Sequence, residues 1–545
     1  MLLHELHELQ AKHGWLSDET LRTFARERNV PLYELEAVTT FYPHFRRSPP
    51  PRAVVTVCRD ASCHLRGGVQ YVGEIRHGLA REKDVEVREV SCLGRCECAP
   101  AACVNDVPLE GWKSADVVAA ARGAKALPPD EPTSSPRRWP TDPYATRDEH
   151  YGVLRRMAAA RDESRKSIPG LLKDAGLRGM GGAGFPTGLK WQLVRDAVGE
   201  TKYAIVNADE SEPGTFKDRV ILEELPHLVI EGLLLGCLVT GARTAIVYIR
   251  HEYTREAKAI VREIERVQSM GLTALAGGSE GAVDLSIFVS PGGYILGEET
   301  ALLEALEGKR GEPRNKPPYP VTHGLHGKPT LMNNVETYSF VPAILTEGAE
   351  RWKTHGVNGA TGWKFLSVSG DVERPGVYCV PMGTTVRELV DQHCGGMRGG
   401  KKMAAFSPGG ASAPFLPASL ADTPLSFDAM AKAGSMLGSG APLIVAEGAD
   451  LLALAANMVR FFRNESCGKC VPCRVGSQKA AEVLDHVLAG RGDGHDFDGF
   501  PELDETLRLT SICGLGQVAL NPVTSVLKHF PETAKRARPN AGSGV

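Results

Sequence analysis

Several features are missing from this sequence. No apolar run in its 545 residues reaches the roughly 18 needed to cross a bilayer. The opening stretch, MLLHELHELQAKHG, has neither the long apolar core nor the small-residue cleavage site of an export leader. No excess of one charge is present: 63 Lys and Arg face 66 Asp and Glu, a formal net charge of −3. That balance gives no electrostatic footprint for nucleic acid or an anionic membrane. No internal repeat and no sustained heptad pattern occurs. What remains is a globular chain, 42% hydrophobic and 24% charged, expected in the reducing cytoplasm. Its length implies roughly three to five domains.

Cysteine, by contrast, is plentiful. In a reducing compartment thirteen cysteines point to metal ligation rather than disulfides. Six lie between positions 58 and 103 and four between 467 and 513. Cys237, Cys379 and Cys394 stand singly and read as structural thiols. Cys467-Gly-Lys-Cys470-Val-Pro-Cys473 can place three thiolates on one [4Fe–4S] cube, with Cys513 as a distant fourth. A zinc site is the rival reading, although zinc more often uses two separated C-x2-C pairs. A reduced triplet with no cofactor is the plainest alternative.

The first group has different spacing. Cys58 and Cys63 form C-x4-C, and Cys92 and Cys96 form C-x3-C. Each pair directly follows a predicted strand, Ala53–Val57 or Val85–Val90, with a predicted helix over Val69–Leu79 between them. Neighbouring strands would bring the pairs together around a [2Fe–2S] rhomb. Zinc or an empty remnant stays possible. Cys98 and Cys103 break the strand-end symmetry and read as non-ligands.

Residues 1 to about 45 read as helical, with Ser17 opening a second helix. Residues 126–143, rich in proline, read as a semi-extended linker. Beyond it, strands at Tyr203–Val206 and Thr244–Ile249 alternate with helices such as Leu225–Thr240, an α/β domain reaching about 350. Trp363–Val368 and Gly376–Val380 read as strands of a small mixed domain, and helical periodicity returns from about 445.

Three loops carry ligand-like chemistry. Gly179-Met-Gly181-Gly182-Ala183-Gly184-Phe185 contains G-x-G-x-x-G, yet the preceding Pro169–Gly176 looks helical, so an ordinary Rossmann turn is not expected. Serial glycines still let backbone N–H groups surround phosphate oxygens, and Lys190 adds positive charge. The strand Tyr203–Val206 runs into Asn207, Asp209, Glu210 and Glu212; three carboxylates in four positions is costly crowding that a ligand would explain. Tyr294, Gly297, Glu298 and Glu299 follow the apolar run Leu285–Val289, then come Arg314, Lys316 and Tyr319, then Asn333 and Asn334.

Taken in order, GMGGAGFPTGLKW, NADESEPGTFKDR, GYILGEETAL, RNKPPYP, NNVET and ESCGKCVPCRVG resemble the flavoprotein that carries the NADH site of respiratory complex I. Residues 1–125, with CRDASC and CLGRCECAPAACVND, resemble the thioredoxin-like [2Fe–2S] subunit of the same module. The fusion is similar to diaphorase subunits of NAD-linked formate dehydrogenases and NAD-reducing hydrogenases.

That resemblance implies an α/β multidomain chain. It has a thioredoxin-like domain with its helical lead-in (1–125), a linker (126–148) and a Rossmann-like FMN and NAD domain (149–355). A β-grasp insert (356–442) and a helical [4Fe–4S] domain (443–545) complete it. Gly179–Gly184 would wrap FMN, with Lys190, Asn207 and Asp209 on its ribityl and phosphate. Asn333 and Asn334 match the family's phosphate binders. Tyr294, Gly297 and Glu298 would lie along the isoalloxazine. Phe185, Glu212, Glu299, Lys316 and Tyr319 would touch NAD(H), and Glu210 with Glu212 would tune flavin charge. The eight cysteines named above match the cluster ligands. Met180 and Leu296 stand where the family commonly has Arg and Cys, so flavin tuning rather than loss is expected. Leu193 replaces an adenine-flanking aromatic.

The implied activity is hydride exchange between NAD(H) and FMN, with single electrons relayed to or from a partner catalytic subunit. A molybdenum- or tungsten-containing formate dehydrogenase is the favoured partner. An NAD-reducing hydrogenase, a fused complex I module and a flavin-less scaffold are the alternatives.

Overall fold

Two short β-branched runs pair side by side to begin the first sheet. In this computed structural model, which describes residues 2–128 and 137–535, β1 (Ala53–Cys58) lies parallel to β2 (Val85–Val90). β3 (Ala102–Val104) adds antiparallel to β1, and β4 (Val107–Pro108) to β3, giving the order β2-β1-β3-β4. The crossover helix Gly68–Leu79 covers one face, burying Val72, Ile75 and Leu79 against Val55 and Val57.

The helical lead-in does not join that core. Ser17 caps the helix Asp18–Arg28 by accepting from the Thr20 N–H, as its sequence suggests. Leu3, Leu6, Leu21 and Leu35 pack instead with Leu296, Leu302 and Leu306 of the large domain, and the Tyr42 hydroxyl donates to the Lys309 carbonyl at 2.6 Å. The lead-in thus packs on the large domain rather than on the first sheet.

The large domain is built on four parallel strands in the order β7-β6-β5-β8. These are β5 (Tyr203–Ala208), β6 (Thr244–Ile249), β7 (Asp284–Val289) and β8 (Thr330–Asn334). The helix Pro226–Thr240 is buried almost along its whole length and packs on the helix Val335–Glu347, which explains its unbroken apolar composition.

The insert carries β9 (Trp363–Gly370), β10 (Gly376–Pro381), β11 (Met403–Ser407), β12 (Leu416–Pro417) and β13 (Leu443–Ala446), ordered β10-β9-β13-β11-β12. Its central strand β13 lies past the expected boundary at 442. Four buried apolar residues just ahead of a helix read from sequence as the start of that helix. The C-terminal helices Leu451–Glu465, Val471–Leu488 and Asn521–His529 pack together.

Of the expected linker, 129–136 lie outside the described residues. Its second half is packed rather than free. Trp139 is buried against Phe365, donates from Nε1 to Glu224 at 2.8 Å and lies under the Arg137 guanidinium. Among the described residues no helix is long and apolar enough to cross a membrane.

Candidate functional site

A cleft opens at the carboxyl edge of the parallel sheet, where open α/β folds bind ligands. It encloses about 380 Å³ and is walled by all three of the expected loops. Gly181, Gly182 and Ala183 come from the glycine-rich loop; Asn207, Asp209, Glu210 and Glu212 follow β5. Tyr294, Gly297 and Glu298 follow β7, and Asn334 ends β8. The glycine-rich loop follows the helix Arg161–Asp174 and leads into the helix Thr187–Asp196, so it is not a strand-to-helix Rossmann turn. Gly182 has φ +123°, a conformation that glycine alone adopts without strain.

The acidic residues are held individually. Asn207 donates from Nδ2 to the Gly297 carbonyl at 2.9 Å. Asp209 accepts from Ser211 on Oδ1 at 2.6 Å, while its buried Oδ2 has no hydrogen-bond partner. Burial pushes the Asp209 carboxyl up to about 6. Glu210 accepts from the N–H groups of Asp218 and Arg219 and from the Tyr253 hydroxyl. Burial, reinforced by the nearby Asp218 carboxylate, raises Glu210 to about 7. Glu212 accepts from Tyr294 at 2.7 Å and from Ser412, and burial raises it too.

Lys217 also lines the cleft, fully buried, 2.7 Å from Asp218 and 2.8 Å from Glu336. Burial opposes its charge, but these carboxylates outweigh it and raise its pKa. Lys217 and Asp218 belong to the quoted GTFKDR segment, where adjacent opposite charges were the signal that could have found them. Thr215, Gly409, Ser412, Gly438 and Ser439 also line the cleft, the last four from the insert, and no local pattern marks them.

Eight expected residues lie off the cleft wall. Gly179 donates to the Phe185 carbonyl, and the Gly184 carbonyl accepts from Arg178, so both brace the loop. Asn333 is not among the residues lining the cleft; its Oδ1 accepts from Trp191 Nε1 at 3.0 Å. Phe185, Lys190, Glu299, Lys316 and Tyr319 form an outer rim. Lys316 bonds Glu298 at 2.7 Å and Glu299 at 3.1 Å, and Lys190 lies 3.9 Å from Glu299 and over the Phe185 ring. Phe185 and Tyr319 are 41% and 55% exposed, and Leu193, on the helix that follows Phe185, is 41% exposed. Met180 and Leu296 are buried in the core, off the cleft wall.

The residues fit a flavin nucleotide: glycine N–H groups, an unpartnered buried carboxylate oxygen for a hydroxyl, and a mixed polar and apolar wall. They also fit two clusters. Parallel register sets Cys58 beside Val90, so the loops with Cys63 and with Cys92 and Cys96 converge. Cys92 and Cys96 sulfurs lie 3.7 Å apart, Cys58 is within hydrogen-bonding reach of Cys63 and Cys92, and the Gly94 N–H donates to Cys92 Sγ. Cys103 lies on β3 and Cys98 in the turn Cys96–Cys98.

Cys470 precedes the helix Val471–Leu488, whose first turn holds Cys473, and Cys513 precedes the helix Gly514–Val518. Cys467 and Cys470 lie close enough to Cys473, and Cys467 to Cys513, to interact electrostatically if ionised. Burial pushes Cys473 and Cys513 to about 11 and about 12, so a bound cation is what would make them thiolates near neutral pH. By contrast, Asp142, His150 and His227 cluster without metal geometry. The two imidazoles stack 3.7 Å apart at 7°, so their in-plane lone pairs run parallel instead of converging on one ion.

Comparison with known proteins agrees with this layout. Residues 172–343 match the Nuo51 FMN-binding domain, 453–537 the NADH-ubiquinone oxidoreductase-F iron–sulfur binding region, 1–124 the thioredoxin-like [2Fe-2S] ferredoxin, and 365–416 the SLBB domain. The F 2 subunit of the NADH-quinone oxidoreductase of Rhizobium meliloti is 43% identical over 383 residues, 70% of this chain and 90% of that protein. The F subunit of the Escherichia coli NADH-quinone oxidoreductase is 39% identical over 395 residues, 72% of this chain and 88% of that protein. A chain of the air-oxidized NAD+-reducing [NiFe]-hydrogenase superposes with TM-score 0.87 at 32% identity, covering 100% of this chain and 94% of that one.

Proposed function

The chain belongs to the family of the F subunits of NADH-quinone oxidoreductases, and from that premise we propose that it is the NAD(H)-facing flavoprotein of a larger oxidoreductase. FMN, when bound in the cleft, would supply exchange between the electron pair that a nicotinamide gives or takes as one hydride and the single electrons that iron–sulfur clusters carry. The glycine-rich loop offers backbone donors to the flavin nucleotide, Lys190, Asn207 and Asp209 hold its ribityl chain and phosphate, and Asn334 holds the phosphate. Tyr294, Gly297 and Glu298 orient the ring. Glu210 and Glu212 set the charge around it, and no side chain is assigned as an obligatory proton donor. Glu212 from the cleft wall and Phe185, Glu299, Lys316 and Tyr319 from the outer rim receive NAD(H). Cys467, Cys470, Cys473 and Cys513 hold a [4Fe–4S] cluster, and Cys58, Cys63, Cys92 and Cys96 a [2Fe–2S] cluster.

One observation carries the relay. Gly514 and Leu515, the two residues after Cys513, line the same cleft as Asp209 and Glu212. Glu465, two residues before Cys467, accepts from the Tyr294 N–H at 2.9 Å and from the Ser91 hydroxyl beside Cys92 at 2.5 Å. One carboxylate just ahead of the C-terminal cysteines therefore bonds both the cleft residue Tyr294 and the residue next to Cys92.

For the partner we propose the catalytic subunit of a cytoplasmic molybdenum- or tungsten-containing formate dehydrogenase, on the length and fusion pattern. A nickel–iron hydrogenase is the second reading, favoured by the likeness along the full chain to the NAD+-reducing enzyme. Affinity purification from the native cell decides. Co-purifying molybdenum or tungsten with formate-dependent NAD+ reduction supports the first; nickel with hydrogen-dependent reduction replaces it with the second.

A further inference from the structure

The insert supplies part of the cleft wall, and one of its residues grips a carboxylate from the other side. We propose that Ser412 is a positioning residue that fixes Glu212 in the orientation the nicotinamide nucleotide meets; this rests on the reading that Glu212 contacts that nucleotide. Ser412 donates to Glu212 Oε1 twice, from its backbone N–H at 2.6 Å and its hydroxyl at 2.7 Å. The Tyr294 hydroxyl donates to Oε2 at 2.7 Å. Three donors on two oxygens, drawn from two domains, remove the rotational freedom of the carboxylate.

The loop around Ser412 is shaped for this grip. Gly410 has φ +90°, and a Cβ added there would lie 2.8 Å from Glu212 Cγ. Ala411 donates from its N–H to the Pro213 carbonyl, next in sequence to Glu212, at 3.2 Å. The Ser412 carbonyl accepts from Asn521 Nδ2 at 2.8 Å, so the cluster-bearing helical region anchors the loop from behind. Burial disfavours the Glu212 charge, and the Tyr294 and Ser412 bonds oppose that penalty, keeping the group an acceptor.

The test compares Ser412→Ala, Ser412→Thr, Gly410→Ala, Glu212→Gln and the double variant Ser412→Ala with Glu212→Gln, each as full-length holoprotein. NAD+ affinity by calorimetry, KM and kcat for NADH-dependent dye reduction, and bound FMN are measured. Ser412→Ala is expected to weaken NAD+ binding and raise KM about five- to tenfold, with kcat and FMN content within about twofold, because one bond to a charged group is lost. Ser412→Thr keeps the hydroxyl and restores the parent values. Gly410→Ala reproduces the defect by displacing Glu212. The double variant is no worse than Glu212→Gln alone, because both changes act through one carboxylate. A Ser412→Ala protein identical to the parent beside a defective Glu212→Gln overturns the inference while sparing the site reading. Effects that add in the double variant do the same. A silent Glu212→Gln removes the site reading and this inference together.

Discussion

Arg250 joins Cys92 to the flavin cleft. Its Nη2 donates to the Cys92 carbonyl at 2.8 Å, and its Nη1 donates to the Glu210 carbonyl at 2.5 Å. The guanidinium is buried and pairs with Glu252 at 3.0 Å. Tyr253 strengthens the same joint, its hydroxyl reaching Glu210 while its ring packs where a side chain at Gly94 would be. One buried cation thus fixes a cluster-ligand loop and a cleft loop that lie far apart in sequence.

Arg250→Met therefore removes both bonds and leaves Glu252 without its buried partner. A loss of about 3–5 kcal/mol of stability is expected. The [2Fe–2S] absorbance and the bound flavin are expected to fall together, and Arg250→Lys, which keeps the charge but loses the fork, is expected to fall between parent and Met variant. Loss of one centre with the other intact contradicts a shared anchor.

Cys473→Ser separates the two halves of the chemistry. Cys473 is buried beside the other cysteines proposed to hold the [4Fe–4S] cluster, with the Ser466 hydroxyl 3.2 Å from its sulfur, and it does not line the cleft. NADH-dependent reduction of a small dye is expected to survive at about the parent rate, while reduction through the partner protein is expected to fall at least about a hundredfold. Stopped-flow and steady-state assays on the same preparation measure both, and equal loss of both counts against the proposed order of centres.

Gly182→Ala tests the glycine-rich loop. With φ +123° at Gly182, a Cβ imposes backbone strain of about 1–3 kcal/mol, even though the nearest atoms, in Gly438 and Ser439, lie 3.7 Å or more away. FMN affinity, followed by quenching of flavin fluorescence on rebinding, is expected to weaken about tenfold or more, with little change in iron content. Unchanged affinity shows that this backbone does not meet the flavin.

Glu231 gives a pH dependence away from the cleft. It is wholly buried, accepts from the Tyr144 hydroxyl and the Leu154 N–H, and burial lifts its carboxyl from 4.5 to about 7. A raised carboxyl favours the folded state fully below the unfolded value. That contribution is lost as pH rises from about 4.5 through about 7, and amounts to roughly 3 kcal/mol. Glu231→Gln is expected to flatten the fall in thermal midpoint between pH 5 and pH 8. An unaltered pH profile in the variant rules this group out as a source of it.

Much of the layout was legible because strand ends concentrate chemistry. The apolar runs at Tyr203 and Thr244 announced strands of an α/β domain, and the loops after β5 and β7 proved to wall the cleft. Spacing alone also brought Cys58 and Cys92 to the ends of two parallel strands. Asn333 and Asn334 show where such reading stops. Adjacent residues on a strand face opposite sides, so only Asn334 reaches the cleft while Asn333 turns to Trp191. Ser412 was out of reach for another reason: 200 residues separate it from Glu212, and nothing local in a serine predicts so distant a partner. The short strand β13 lacks the length to declare itself, and only pairing with β9 and β11 makes it central.

The central claim is that the cleft at the ends of β5–β8 holds FMN between the nucleotide rim and the iron–sulfur cysteines. Its most direct test is the release and rebinding of flavin from anaerobically purified full-length protein, with iron counted on the same sample. About one FMN per chain, released by mild acid and restored on incubation, is the predicted result. Abundant iron with no flavin released, and none taken up, contradicts it.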